Sequence, residues 1–148
     1  MSWHLLKMAV GIDSVAHLAR VQKARRDERR ARGERPVTLH FTRNFPRRAA
    51  QVLDGGSMYW IIHGEIVARQ AIIALETRRR GDGRKRCAIG LAAKIIRTEP
   101  ISHRALQGWR YLGANDAPPD LAAAPPRAKG ADRLPDGLAR ELRELGLL

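Results

Sequence analysis

The 148-residue chain has one cysteine, Cys87, which excludes an intramolecular disulfide and any zinc site built from several thiolates. That scarcity suits a reducing compartment. Aromatic residues make up only 5% of the chain, so a ring placed at a ligand site is one the core must do without. No apolar run approaches the roughly 18–20 residues that cross a bilayer, and the N-terminus lacks the apolar stretch of a signal peptide. These absences lead to the expectation of a cytoplasmic protein with no membrane contact. A Walker loop, a nucleophile elbow, paired carboxylates and clustered metal ligands are missing as well. No cofactor or metal is therefore expected, and the sequence leans away from an enzyme.

What the chain has in excess is positive charge: 28 Lys plus Arg against 15 Asp plus Glu, formally +13. A field of that sign favours phosphate-rich partners and speeds their capture. Arginine far outnumbers lysine and alanine is abundant, which a GC-rich coding sequence also produces, so position is more informative than total. The charge is clustered. Arg20–Arg35 and Arg43–Arg48 together hold 11 basic residues against 3 acidic ones, and Arg78–Arg86 forms a third cluster.

The length fits one domain, and the patterning places a single domain over 1–121. Trp3–Val10 is apolar but for Lys7 and a partly polar start, and reads as an opening strand. Asp13 or Ser14 can cap a helix whose inner face carries Val15, Leu18, Ala19 and Gln22. Val37, Leu39 and Phe41 alternate along a second strand, with those three on one face. Pro46 suits the first turn of a short helix over Arg47–Leu53, closed by Gly55 and Gly56. Two β-rich runs follow, Ser57–His63 and Ile66–Leu75, with Gly64-Glu65 as a tight connection. Gly81-Asp82-Gly83 is a stronger turn signal, and it sets Arg78, Arg79 and Arg80 against Arg84, Lys85 and Arg86. Lys94–Thr98 can add a strand, and Leu106, Trp109 and Leu112 repeat at a helical spacing of three. A Pro/Ala-rich linker over 122–133 then leads to a short amphipathic helix at 134–148. The expected fold class is α+β: a small antiparallel sheet or partly closed β-barrel with two or three flanking helices.

Three segments resemble a known family: His40–Arg48 (HFTRNFPRR), Gly55–Gly64 (GGSMYWIIHG) with Arg69-Gln70, and Gln107–Leu112 (QGWRYL). The Val10–Ser14 exit from the opening strand is similar too. The family is one of small, single-domain bacterial proteins of about 140 residues, catalogued as a conserved domain of unknown function. The resemblance spans about residues 3–121 and implies no activity. The layout also looks like the small β-barrel modules associated with pseudouridine synthases, which bind RNA; that likeness is of fold, and fold does not fix function.

Three groups of residues are candidates for nucleic-acid contact. Arg43, Arg47 and Arg48 lie where a loop enters a helix, an arrangement that favours phosphate. Trp60 with Arg69 and Gln70 is the second group; an Arg-Gln pair amid branched apolar residues is costly unless it is partnered. The pair can hydrogen-bond an unstacked base, or it can be satisfied inside the fold. Arg104, Trp109 and Arg110 form the third, either a stacking platform with Tyr111 or a plug for the sheet. The leading expectation is a nucleic-acid-binding module, for RNA in preference to duplex DNA, since no recognition-helix motif is present. An enzyme acting on a nucleotide or nucleic acid, using His63, Arg69 and a carboxylate, is the alternative. A protein adaptor working through the C-terminal helix is a third.

Overall fold

The computed structural model describes residues 3–121; the expected linker and C-terminal helix, 122–148, lie outside the described residues. The opening run forms strand β1, Trp3–Met8. Gly11, at φ 76, turns the chain out of it. Ser14 then caps helix α1, Val15–Ala31, its side chain accepting from the His17 N–H. Val15, Ala16, Leu18 and Gln22 are its buried residues. Beyond Gln22 the apolar stripe stops, and most of the remaining helix is exposed.

The next elements are β2 (Thr38–Thr42), α2 (Ala49–Leu53), β3 (Ser57–Ile62) and the 15-residue β4 (Glu65–Arg79). Then come β5 (Lys85–Leu91), β6 (Ile96–Ser102) and β7 (Trp109–Gly113). The strands join in one sheet ordered β2-β5-β4-β3-β1-β7, with β6 also paired to β4. β1 runs parallel to β3, and the other neighbours are antiparallel. β4 is the spine. Its first residues pair with β3 and β6, and its later ones, from Ile72 to Arg79, pair with β5. Register shifts at Ile66/Ala68 and Ile72/Ala74 bend it between the two pairings.

This architecture corrects the expected fold class. The described residues are 44% strand and 19% helix, in an open mixed sheet of seven strands with two helices. It is neither an α+β fold with two or three flanking helices nor a barrel. Two local errors explain the difference. The segment around Trp109 forms strand β7, because β1 has an open edge that it fills: Leu5 pairs with Tyr111 and Lys7 with Trp109. The α1–β2–α2 excursion returns the chain beside β1 in the same direction, which makes that pair parallel. The hairpin between β3 and β4 also turns on His63-Gly64, not Gly64-Glu65. Both residues have positive φ, 50 and 77, as a type I′ turn requires.

Apolar side chains pack on both faces of the sheet. On one, Leu5, Met58, Trp60, Ile62, Ile89 and Leu91 are covered by Val15 and Leu18 of α1 and Val52 of α2. On the other, Leu6, Tyr59, Ile61, Ile66 and Leu112 pack with Met8, Leu106 and Ala117. Gly56 is needed where α2 meets β1, since a Cβ there would overlap the carbonyl oxygens of Trp3 and Val52. β2 departs from expectation. It buries Thr38 and Thr42, on the face that also carries His40, and leaves Leu39 and Phe41 half-buried. Arg26 of α1 donates to the Thr38 hydroxyl at 2.8 Å, which satisfies that inward polar group. No helix among the described residues is long and apolar enough to cross a membrane.

Candidate functional site

The Arg43–Arg48 loop leaves β2, with Pro46 fully buried as its anchor. Phe45, 43% exposed, and Arg43, Arg47 and Arg48 face outward. The loop docks on the β1/β7 pair. Trp109 Nε1 donates to the Asn44 carbonyl at 3.0 Å, and the Arg48 N–H donates to the Tyr111 hydroxyl at 3.0 Å. The Arg48 guanidinium lies 4.7 Å from the Trp3 ring centroid and 5.8 Å from that of Tyr111, within cation–π range. Tyr111 meets Trp3 and Trp109 edge-to-face at 5.9 and 4.8 Å. Trp3, Trp109 and Tyr111 are all half-buried, so this cluster is partly open to solvent. Arg43 and Arg47 make no ion pair among the described residues. The free helix dipole expected here is minor, because α2 spans five residues and the Arg48 N–H is already taken.

Strand geometry splits the third group. Trp109 and Tyr111 share one face of β7, with Arg110 on the other. Arg110 donates to the carbonyls of Gln107 and Trp109. With Arg104 it borders a shallow depression that also contains Met8 and Leu106. A Trp-Arg-Tyr platform on one surface is therefore not formed. The rings that join Trp109 are Tyr111 and Trp3.

Trp60 and Gln70 lie in the core, 2% and 0% exposed. Gln70 Oε1 accepts from Gln22 Nε2 at 2.8 Å and from Trp60 Nε1 at 2.9 Å. Its Nε2 donates to Gln22 Oε1 at 2.7 Å and to the Ala92 carbonyl at 3.0 Å. This network fastens α1 to the sheet and leaves Gln70 no free polar atom for a base. Arg69 is held by Asp120 through two bonds, Nε to Oδ1 at 2.7 Å and Nη2 to Oδ2 at 2.8 Å, and it also reaches the Ser57 hydroxyl. Its partner is thus neither Glu65 nor Asp54, which lie closer in sequence than Asp120.

The Arg69 hydrogen bond holds the Asp120 carboxyl below its ordinary value. A depressed carboxylate contributes stability above its unfolded pKa and loses it as pH falls through the folded one. Urea denaturation of wild type and Asp120→Asn should therefore show a stability gap that is full at neutral pH. The gap should close below about pH 4, where an ordinary aspartate takes up its proton. A gap independent of pH would show that the pair acts through shape and not charge.

Half of the cations at the basic helix end are self-compensated. Asp27 binds Lys23 at 2.8 Å and Arg30 at 3.2 Å, while Glu34 binds Arg32 at 2.8 Å and Arg29 at 3.2 Å. At the β4/β5 tip, Arg78 faces Arg86 and Arg79 faces Lys85. Such like-charge pairs are unfavourable, eased by Arg78 bonding Glu76 and Arg86 stacking on Phe41 at 3.8 Å. His63 lies on the hairpin turn 3.8 Å from Asp13, away from Arg69 and Asp120, so the expected enzyme constellation is not assembled. Cys87 is 1% exposed, and burial pushes its thiol up.

The segments that carried the family resemblance therefore build this region: 40–48 gives β2 and its loop, 55–64 the β3 hairpin, and 107–112 most of β7. A family model described as a protein of unknown function matches residues 5–148. The chain belongs to the DUF1489 family. The DUF1489 match runs past Leu121 and includes Arg25–Arg35. The tail thus falls within the family's span, which is wider than the 3–121 expected from the sequence. No curated protein and no solved structure matches this DUF1489 chain.

Proposed function

We propose that this protein binds RNA, in single-stranded or locally unpaired form, through the loop of Arg43–Arg48 and the adjoining Trp3, Trp109 and Tyr111. One observation carries the reading: residues from three separated parts of the chain meet as a partly open aromatic cluster with an arginine stacked on it. Arg43 and Arg47 lie on the same loop and make no ion pair among the described residues. Arginines engage phosphates by charge-assisted bonds, and bases stack on aromatic faces when they are not held in a duplex. A base seated here exchanges water for a ring or for the Arg48 guanidinium plane. Duplex DNA fits less well. Its bases are stacked away, and the helix that could enter a groove, α1, binds many of its own charges internally.

Fluorescence anisotropy with an unstructured RNA, a hairpin RNA and a duplex DNA at low salt tests this. The expected order of affinity is unstructured RNA, then hairpin, then duplex. Failure to bind any of them at low salt overturns the reading. Equal affinity for all three reduces it to non-specific electrostatics.

A further inference from the structure

A second site shares none of its lining residues with the arginine–aromatic surface. Between α1 and the inner sides of β1 and β2 is a cavity of about 530 Å³, within the range of small-molecule sites. Much of its lining is apolar, from Ala9, Ile12, Leu18 and Trp60. Polar groups converge on this apolar lining from different elements: Lys7 from β1, Arg25 from α1 and His40 from β2.

Three features distinguish these groups from an ordinary packed polar set. Lys7 is half-buried and Arg25 is exposed, and neither makes an ion pair among the described residues. Arg29 and Arg32, also at the cavity, are both engaged by Glu34. Glu28 is the one carboxylate among the described lining residues. His40 Nε2 is sealed from solvent without a hydrogen-bond partner, and its ring meets Trp60 edge-to-face at 5.1 Å. An unpartnered buried nitrogen is costly, on the order of 1–3 kcal/mol. Burial, with Lys7 and Arg25 adding to it, pushes the imidazole down to about 4, so it is neutral at physiological pH. A neutral imidazole can accept or donate one bond, and the two cations beside it call for an anion.

We propose that this cavity binds a small organic anion, a carboxylate or phosphate monoester on an apolar body. The anionic oxygens face Lys7 and Arg25, the body lies against the apolar lining, and the His40 ring stands beside the ligand. The site does not depend on RNA binding at the Arg43–Arg48 surface, and its test reads different residues.

The probes are phenyl phosphate, benzoate, uncharged benzyl alcohol and inorganic phosphate, titrated by calorimetry and by NMR of the His40 imidazole. The expected result is saturable binding of phenyl phosphate or benzoate that shifts the His40 resonances. Whichever of the two binds more tightly names the anionic group. Lys7→Met and Arg25→Gln should each weaken it by about tenfold, the loss expected for one charge-assisted bond. Arg25→Gln lies on an exposed helix surface and keeps the test available if Lys7→Met does not fold. Benzyl alcohol binding as tightly as the anions overturns the proposal. So does inorganic phosphate binding as tightly as phenyl phosphate, or binding that leaves His40 unshifted.

Discussion

Gln70→Leu is expected to destabilise the protein by about 3 kcal/mol, near the upper end for a single substitution. A side-chain amide has two donor hydrogens and an oxygen with two lone pairs, and at Gln70 all four are used. They bind both polar atoms of Gln22, the indole N–H of Trp60 and the Ala92 carbonyl. Leucine fills a similar volume, so the cost comes from what it orphans. Each buried polar atom left without a partner costs on the order of 1–3 kcal/mol. Ala92 is half-buried and can recover water, whereas Trp60 is 2% exposed and cannot. Equilibrium urea denaturation should show the loss, and a thermal scan should show a midpoint lower by roughly 10 °C. Gln22→Leu combined with Gln70→Leu should cost less than the sum of the single changes, because each single variant strands the other's amide. Strict additivity, or a Gln70→Leu chain as stable as wild type, would mean that the network does not hold α1 to the sheet.

That glutamine also shows what the sequence could and could not disclose. An Arg-Gln pair amid Ile66, Val67, Ile72 and Ile73 signals unusual demands: Gln70 uses all of its hydrogen-bonding sites, and Arg69 is held by Asp120 and Ser57. The partners were not legible. Gln22 lies 48 residues away and Asp120 lies 51 residues from Arg69, while the nearest acids are not used. Local elements read well where one pattern dominated, as in α1 with its Ser14 cap or β3 with six buried residues. They read poorly where two periods fit the same residues. Leu106, Trp109 and Leu112 have helical spacing, yet Trp109, Arg110, Tyr111 and Leu112 also alternate. A strand edge about a hundred residues earlier decided between them. In β2 the alternation was correct, and Thr38 and Thr42, not Leu39 and Phe41, are its buried residues. Periodicity separates two faces without saying which one turns inward, and Arg26 and the cavity supply the polar surroundings that Thr38 and His40 meet.

The arginine–aromatic surface was half legible for the same reason. Arg43, Arg47, Arg48 and Trp109 could be named from the chain, because arginines in a loop and a tryptophan beside glycine stand out. Trp3 could not, and Tyr111 stood out only as part of a platform with Arg110. Trp3 reads as the first residue of a buried strand, and Tyr111 reads as a neighbour of Arg110, which in fact points the other way. Long-range pairing of β1 with β7 created the cluster. The total charge was the weaker guide, since Asp27 and Glu34 between them occupy four of the helix-end cations.

Replacing Arg43, Arg47 and Arg48 together with glutamine is expected to lower affinity for unstructured RNA by about a hundredfold at low salt. Three charge-assisted contacts at about 1 kcal/mol each give that figure. The salt dependence is the sharper signature. Each phosphate contact on a single strand contributes about 0.7 to the slope of log affinity against log salt, so three lost contacts should flatten it by about 2. Trp109→Leu should behave differently. Stacking of one base contributes roughly 1–3 kcal/mol without a counterion, so affinity should fall while the slope stays as in wild type. Arg48 belongs to both classes, as a cation and as part of the stacked cluster, so Arg48→Lys should keep the slope but lose affinity, since a lysine ammonium cannot reproduce the planar stack. A triple variant that retains the wild-type slope would remove the phosphate path from this loop. The like charges at the β4/β5 tip, Arg79 against Lys85, would then be the next cations to test, and Arg79→Gln with Lys85→Gln should flatten the slope in their place.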